Sequence, residues 1–313
     1  MPTTILASRF NNLKVRVDKI LGPCLETNPN NASDFLFGYG QPLGAGVNQS
    51  PSNDTIDALA YKLLYINIQK IRYHQIGTAA FSAEAYKVGD FVNNASADKV
   101  EEAYISGLET LATNMENDKF LCHPSQGTIT ACDASTSATV WNGTLSHIFK
   151  VTFANAQARR EYFNSGGVIR FVPSLSYSGS QPKTVDWKNM LNAIGPVNFA
   201  AQSTIAASGV GQSYGGIGHD YMFNYYQTAY YNMGGGVYNP NRYTIYAMQL
   251  SDSILQFKCE FTDPSYGQPD ENVEAAVTND TFFFTPNGTA QIDGTQTVTV
   301  QQSTPVSTTV SPL

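Results

Sequence analysis

Charge is what this sequence has least of, and its scarcity limits what kind of surface the protein can have. Asp, Glu, Lys and Arg make up 14% of the 313 residues, whereas soluble domains usually carry about a quarter. Hydrophobic residues account for 42%, and there are 18 tyrosines. A surface of uncharged polar residues and Tyr is typical of one buried against other subunits. The composition favours an assembly protein, with a plain β-rich protein as the alternative.

Basic clusters, long apolar runs and targeting signals are also missing. The net charge is −7 and the longest basic cluster is Arg159-Arg160, which argues against nucleic-acid binding because phosphate contacts need converging cations. No apolar run reaches the roughly 18 residues of a membrane span, and residues 1–10 carry no secretory signal. We therefore expect no nucleic-acid partner, no membrane insertion and synthesis in a cytoplasm.

Cysteine is scarce and scattered. Three potential metal ligands lie near one another in the sequence, Cys122, His123 and Cys132, but the paired spacing of a zinc site is absent. Cys24 and Cys259 lie far from them, and without export no disulfide is expected. The sequence predicts reduced thiols, no metal and no cofactor.

Recognisable catalytic motifs are absent as well. Residues 209–218 are rich in glycine, but no Lys-Ser/Thr pair follows, so they indicate a loop and not a phosphate cradle. His219-Asp220 lacks a nucleophile context. Four carboxylates are interpreted as a solvated acidic loop, with a glycosidase pair or a calcium site as alternatives: Asp263, Asp270, Glu271 and Glu274. We predict that the protein is not an enzyme.

The first feature that is present is a repeat at an offset of 51 residues. Its first copy is Thr4, Ile5, Ala7, Phe10, Leu13, Val17, Lys19 and Ile20, and its second is Thr55, Ile56, Ala58, Tyr61, Leu64, Ile68, Lys70 and Ile71. Thr4 and Thr55 are predicted helix caps. The apolar residues recur with a period of about 3.5, which predicts one helix per copy with a narrow packing stripe.

Two such helices can bury their stripes on each other but make little further core. They form either a hairpin that caps the β-rich body or, as we favour, a docking module whose core is completed by neighbouring subunits. The predicted oligomerisation residues are Phe10, Leu13, Val17, Ile20, Tyr61, Leu64, Ile68 and Ile71. A further amphipathic helix is predicted within residues 82–118, along Val100, Tyr104, Leu108, Leu111 and Met115.

From about residue 126 the sequence changes to alternating segments typical of strands. The predicted elements are strands at 147–153 and 168–172, helices at 156–163 and 184–193, and a hairpin of 243–250 with 254–261. In the second hairpin strand, Phe257 and Cys259 face one way while Lys258 and Glu260 face the other. Five tyrosines are predicted to bind a sugar or a protein, because aromatic rings stack on sugars and anchor interfaces, with packing in the core of the β-rich domain as the alternative: Tyr221, Tyr225, Tyr226, Tyr230 and Tyr231.

The predicted fold is α+β, an N-terminal helical repeat module followed by a mainly antiparallel β-rich domain with short inserted helices. Its predicted segments are an oligomerisation module at 1–78, a helical connector at 79–125, a β-rich body at 126–265 and a C-terminal tail at 266–313. The tail is acidic and then rich in Thr, Val and Gln, so it cannot bury much by itself. We expect it to stay mobile or to become ordered against another chain.

Residues 151–171, VTFANAQARREYFNSGGVIRF, resemble a segment that recurs in virion structural proteins of large tailed phages, often described as tail-fibre-like. In those proteins a strand, a short helix rich in Ala, Arg and aromatic residues, a Gly-Gly turn and a second strand follow in this order. Shorter stretches also look similar, at 39–41, 186–191, 234–238, 261–263 and 269–273. The resemblance touches most of the chain and brings no catalytic residues with it.

The resemblance implies a virion component but does not settle its position in the particle. We expect a homo-oligomeric structural protein of the tail, baseplate or fibre attachment region, assembled in the host cytoplasm. Residues 1–78 are expected to dock it onto other virion proteins, and the β-rich body to contact neighbours or a host surface glycan. The alternatives are a neck or capsid decoration protein, a carbohydrate-binding module that uses the tyrosines of 221–231, and a glycosidase that uses the carboxylates of 263–274.

Overall fold

The structure is a computed structural model, and it describes residues 7–22, 38–40, 58–77, 102–136, 140–201, 204–211, 224–264, 272–286, 298–302 and 306–308. Five α-helices and twelve strands in two sheets occupy these residues, so the α+β class is confirmed. The chain divides into two compact units. The helical unit comprises residues 1–128, 160–166 and 286–295, and the β unit comprises 129–159, 167–285 and 296–313.

The helical unit contains three helices with one buried stripe each, α1 (Ala7–Leu21), α2 (Ala58–Ile76) and α3 (Glu102–Asn117). On every helix the stripe residues are spaced three, four and three residues apart, which keeps one face of a helix against its neighbours. They are Phe10, Leu13, Val17 and Ile20 on α1, Tyr61, Leu64, Ile68 and Ile71 on α2, and Ile105, Leu108, Ala112 and Met115 on α3. All twelve are at most 1% exposed.

The three helices run in the same direction. Near their C-terminal ends, Arg16 of α1 pairs with Glu116 of α3 at 2.7 Å. Arg72 of α2 pairs with Asp118, just beyond α3, at 2.6 Å. Because the stripes also pack along the helices, these contacts define a parallel three-helix bundle within one chain.

The sequence located α3 and part of its buried stripe. Leu108, Leu111 and Met115 are buried as predicted, whereas Val100 and the side chain of Tyr104 lie outside what the structure describes. Ile105 and Ala112 complete the buried stripe of α3. Together with Leu108 and Met115 they follow the three-four spacing of a packed helix face. The rest of the predicted helical region, 82–101, also lies outside the described residues.

The 51-residue repeat is only partly within the described chain. Ala7 and Ala58 begin α1 and α2, and both predicted stripes are buried. Four of the matching positions lie outside the described residues, namely Thr4, Ile5, Thr55 and Ile56. The repeat as a module therefore stays a prediction.

The β unit contains a seven-stranded sheet, called here the large sheet. Its strands are β2 (Gly143–Phe153), β6 (Val210–Gly211), β7 (Gln227–Met233), β8 (Arg242–Ser251), β9 (Ile254–Asp263), β11 (Val298–Gln302) and β12 (Val306–Thr308). They lie in the order β11-β2-β9-β8-β7-β6, with β12 also on β2. All of these pairs are antiparallel.

The small sheet has the order β1-β10-β3-β4-β5. Its strands are β1 (Gly127–Thr136), β3 (Val168–Leu175), β4 (Val197–Phe199), β5 (Thr204–Ile205) and β10 (Val277–Pro286). Helix α4 (Ala156–Asn164) lies between β2 and β3 in the chain, and α5 (Pro182–Ile194) lies between β3 and β4. The predicted strands, the hairpin and both short helices after residue 126 are thus confirmed.

Aromatic rings from both sheets form the core of the β unit. Phe171 of the small sheet lies 5.5 Å from Phe149 and 5.1 Å from Phe257 of the large sheet, measured between ring centroids. Phe199 of the small sheet lies 5.2 Å from Phe257. The sheets therefore pack face to face as a β-sandwich, and side chains alternate between this core and the outer faces.

The C-terminal tail corrects one expectation. Strands β11 and β12 pair with β2 of the same chain, in registers that join Val300 to Val151 and Ser307 to Leu145. The tail was expected to be mobile or ordered by another chain. It instead pairs within the same chain. Residues 277–286 form β10 between β1 and β3 of the small sheet, and β11 and β12 cover the edge of β2, where an uncovered strand would leave backbone donors and acceptors unpaired.

Candidate functional site

The eight residues predicted to oligomerise lie inside the helical unit and not on its surface. They are Phe10, Leu13, Val17, Ile20, Tyr61, Leu64, Ile68 and Ile71, each at most 1% exposed. The repeat in the sequence shows two stripes, which predicts that a neighbouring subunit completes the core. Helix α3 of the same chain supplies the third stripe, so these side chains are unavailable to a second copy while the bundle is folded.

The five tyrosines predicted to bind a ligand do not share one surface. Tyr230 is fully buried in the sandwich core, and Tyr221 lies outside the described residues. Tyr225 is 56% exposed, while Tyr226 and Tyr231 are half-buried. Among the described residues, Tyr225, Tyr226 and Tyr231 remain candidates for contact with a partner, and Tyr221 stays a prediction.

The outer face of the large sheet carries a band of aromatic and charged side chains around one threonine. We call this band the outer strip, and its residues are Tyr226, Tyr231, Arg242, Thr244, Tyr246, Lys258 and Glu260. The strand register places Tyr246 opposite Lys258, and Thr244 opposite both Glu260 and Tyr231. Because side chains alternate along a strand, the even-numbered residues of β8 and β9 all face away from the core.

Lys258 is held between two rings of the outer strip. Its Nζ lies 4.5 Å from the centre of the Tyr246 ring and 5.2 Å from that of Tyr226, within the range of cation–π attraction. The same Nζ lies 2.8 Å from the Glu260 carboxylate. The Tyr226 hydroxyl accepts a hydrogen bond from Gln256 Nε2 at 2.6 Å. This part of the strip is a closed network whose charges are already matched.

Arg242 occupies the other end of the strip. Its guanidinium carbon lies 4.4 Å from the centre of the Tyr231 ring. Its Nε is buried and finds no acceptor within the described residues, and neither does the buried hydroxyl of Thr244. The strip therefore combines a satisfied ion pair with an arginine that is stacked on a ring but not paired.

A cysteine–histidine pair in the helical unit is the arrangement closest to a reactive site. Cys122 Sγ lies 3.9 Å from His74 Nδ1, and His74 Nε2 donates to the Ser165 carbonyl at 2.7 Å, which leaves the Nδ1 lone pair towards the thiol. Burial raises the pKa of Cys122 to about 12 and lowers the pKa of His74 to about 4. Both groups are neutral near pH 7, so the thiolate needed for nucleophilic or metal chemistry is disfavoured.

The sequence did not reveal this pair, because 48 residues separate its members. It had instead grouped Cys122 with His123 and Cys132. The thiol of Cys132 donates to the carbonyl of Thr130 at 3.5 Å. Within the described residues no group of three or more His, Cys, Asp or Glu side chains is placed to hold a metal ion.

Buried polar groups also lie in the interior of the sandwich. The Tyr243 hydroxyl donates to Asn279 Oδ1 at 2.7 Å. Both ring nitrogens of His147, Asn279 Nδ2 and the Thr281 hydroxyl have no partner in the part of the chain that is described. Burial lowers the pKa of His147 to about 4 and raises that of the Cys259 thiol to about 12. These groups are kept neutral inside the core and do not reach a surface.

The predicted acidic loop is corrected at its first residue. Asp263 is not solvated but fully buried at the end of β9, where its Oδ2 lies 3.2 Å from Nζ of the equally buried Lys183 on α5. It is drawn inside because it continues the alternation of inward residues along β9. Glu274 accepts a hydrogen bond from the Tyr177 hydroxyl at 3.0 Å. Asp270, Glu271 and the His219-Asp220 pair lie outside the described residues.

No protein-family model, curated protein or solved structure matches this chain. Among the described helices, none has the length and apolar character needed to cross a membrane. The function is therefore inferred from the residues of the chain itself.

Proposed function

We propose that this protein is a structural component of a tailed-phage virion, in the tail, baseplate or fibre attachment region, and not an enzyme. The observation that carries the proposal is the segment 151–171, whose sequence resembles one recurring in such virion proteins. It forms the end of β2, the short helix α4, a glycine turn and β3, the same order of elements as in that family.

The glycine turn in this segment has a physical requirement that links its sequence to its shape. Gly166 adopts φ +90°, and a Cβ atom placed there would lie 2.6 Å from Cβ of Cys122. Other residues rarely adopt this backbone conformation, and none could fit without displacing Cys122. Gly166, the first glycine of the Gly-Gly pair, is thus required by the fold, which supports the resemblance as more than shared composition.

The chemistry of the described residues also supports an assembly role. The thiols of Cys122 and Cys259 and the imidazoles of His74 and His147 are held neutral by burial. The half-exposed groups are Tyr, Lys and Arg on a broad sheet face, and Tyr and Arg are enriched where proteins contact proteins. Other virion proteins and further copies of this chain are its proposed partners, with assembly in the host cytoplasm.

Immunogold labelling of purified virions, with an antibody raised against residues 126–265, tests this proposal. We expect gold at a discrete position on the tail. Gold at the neck or over the capsid would instead identify a neck or decoration protein. Unlabelled virions, from infected cells that contain the protein in abundance, would reject the virion role.

A carbohydrate-binding module is the second candidate, and the observation that favours it is the 56% exposure of Tyr225. An exposed ring can stack on a sugar of the host surface. Glycan-array binding that is lost in Tyr225→Ala, but kept in a Val237→Ala control at another exposed position, would support this candidate. An array without any binding would remove it.

A further inference from the structure

Arg242 differs from the five arginines below in having no hydrogen-bond acceptor among the described residues. Arg9, Arg16 and Arg72 are paired with carboxylates, and Arg159 and Arg170 donate to amide oxygens. Arg242 is half-buried, and within the described chain its side chain has only the contact with the ring of Tyr231. Within the described residues, the lack of an acceptor therefore distinguishes Arg242 from these five arginines.

The residues paired with Arg242 on the neighbouring strands supply no carboxylate. Its neighbours across β7 and β9 are Met233 and Thr262, and neither carries a charge. The nearest carboxylate along the outer face of β9 is Glu260, which already contacts Lys258 at 2.8 Å. The guanidinium is partly removed from water and has no anion beside it among the described residues, and a buried charge without a counter-charge is unfavourable.

The ring of Tyr231 prepares Arg242 for one kind of ligand. Stacking at 4.4 Å limits the orientations of the planar guanidinium, so less conformational entropy is lost when a ligand binds. The buried Nε faces the protein, which leaves the Nη edge for a partner. A planar fork of N–H donors matches the two oxygens of a carboxylate.

We propose that Arg242 is an anchor for an aspartate or glutamate side chain of a neighbouring protein subunit, which docks on the outer strip. The inference rests on the proposed assembly role and names the chemistry of the contact. A protein is favoured over a sugar because Tyr226, Tyr231 and Tyr246 already carry cations on their rings. A sugar needs an open ring face on which to stack.

Fluorescence anisotropy with a labelled hexaglutamate peptide tests this contact on the full-length chain, with hexaglutamine as the neutral probe. We expect hexaglutamate alone to bind, and Arg242→Gln to weaken binding by about tenfold or more, because a charge-assisted contact is lost. Arg242→Lys keeps the charge but loses the planar fork, and is expected to weaken binding by roughly threefold.

Lys150→Gln provides the matched control, since Lys150 is a half-buried cation on the outer face of β2 with no assigned ring contact. It should change hexaglutamate binding by less than about twofold, as expected for a distant charge. Equal weakening in both variants, or no binding by the wild-type chain, would overturn the proposal. Polygalacturonate binding that depends on Arg242, without hexaglutamate binding, would replace the protein partner by a carboxylated glycan.

These results are separate from the test of the virion role. Virions that carry gold, together with a chain that ignores hexaglutamate, would keep the structural function and reject Arg242 as its anchor. Unlabelled virions together with Arg242-dependent hexaglutamate binding would support Arg242 as a carboxylate anchor but reject its role in a virion. Matched thermal unfolding of the variants would show that any lost binding does not come from lost folding.

Discussion

The helical unit and the β unit differ in what surrounds their Lys and Arg side chains. In the helical unit the arginines at positions 9, 16 and 72 each contact a carboxylate of the same chain. In the β unit Lys258 and Arg242 lie over tyrosine rings, and Lys183 is fully buried against Asp263. Each pair of the first unit thus keeps at least one partly exposed side chain. The second unit combines one partly exposed pair, Lys258–Glu260, with a fully buried pair and with aromatic contacts.

This difference separates what holds each unit together from what each can offer a partner. The three stripes of the bundle close a core within one chain, and its ion pairs are at least partly in water, where such pairs contribute little. The sandwich keeps one ion pair where water cannot reach it, and leaves Arg242 without an anion on its outer face. Partners are therefore expected at the sheet face and not at the helical stripes.

The buried pair should give the largest effect. Lys183→Met leaves the Asp263 carboxylate buried without a counter-charge, so we expect the free energy of unfolding of the β unit to fall by about 3–5 kcal/mol. Both tryptophans of the chain, Trp141 and Trp187, lie in the β unit. Urea unfolding followed by tryptophan fluorescence therefore reports on this unit.

A double variant serves as its control. Lys183→Met combined with Asp263→Leu replaces the pair with apolar side chains and should recover stability to within about 1 kcal/mol of the wild type. If the double variant is as unstable as the single one, packing and not charge holds this position. If Lys183→Met alone has no effect, the pair is not sealed from water.

Truncation of the helical core should have the next largest effect. Ile68→Ala removes a fully buried side chain of α2 and is expected to lower the free energy of unfolding of the bundle by about 2–5 kcal/mol. Far-UV circular dichroism during thermal unfolding measures it, with the half-exposed Lys70→Ala as the control. Because the core lies within one chain, the midpoint should not depend on protein concentration. A midpoint that rises with protein concentration would indicate that the stripes form an interface between subunits.

Acid should destabilise the sandwich through His147. Burial lowers its pKa from 6.5 to about 4, so between these values the unfolded chain binds the proton more readily than the folded one. The stability that comes from keeping His147 neutral is therefore fully present above pH 6.5. It is lost as the pH falls towards 4, and the loss is about 2 kcal/mol at pH 5. His147→Phe should remove this loss, as measured by urea unfolding at pH 7 and pH 5.

His74 gives the matching experiment in the helical unit. Its pKa is lowered by the same amount, but its Nε2 donates to the Ser165 carbonyl, whereas His147 has no partner in the described chain. His74→Phe should also reduce the sensitivity to acid, but it loses a buried hydrogen bond of about 1 kcal/mol at pH 7. Equal stability of the two variants at pH 7 would contradict the distinction between them.

The sequence predicted local elements well because their signals are local. The strands around α4 and the hairpin of β8 and β9 follow from alternation and turn residues. A hairpin centred on Asp252 also implies that Tyr246 lies opposite Lys258, as the register shows. About half of the outer strip could therefore have been predicted from the sequence. Arg242 was missed because its contact with Tyr231 depends on the β7–β8 pairing, whose register shifts at a bulge.

Contacts between distant segments could not be predicted in this way. The third stripe of the bundle lies on α3, and no local pattern assigns it to α1 and α2. The burial of Asp263 depends on Lys183, 80 residues earlier in the chain. The contact between His74 and Cys122 could not be predicted for the same reason, because 48 residues separate them. Composition sets the class of surface, but only the fold decides which tyrosine is core and which is exposed.

The smallest effect is expected at a surface pair of the bundle, where it completes the contrast with Lys183. Arg16 makes a bidentate contact with Glu116, with both oxygens at 2.7–2.8 Å, and this contact raises the pKa of Arg16. Since the side chains are 23% and 40% exposed, Arg16→Met should lower the free energy of unfolding by only about 0.2–1 kcal/mol. Far-UV circular dichroism in urea measures the change, and salt should reduce it by screening the wild-type pair. A loss close to that of Lys183→Met would mean that burial does not set the strength of ion pairs here, and the division between the two units would fail.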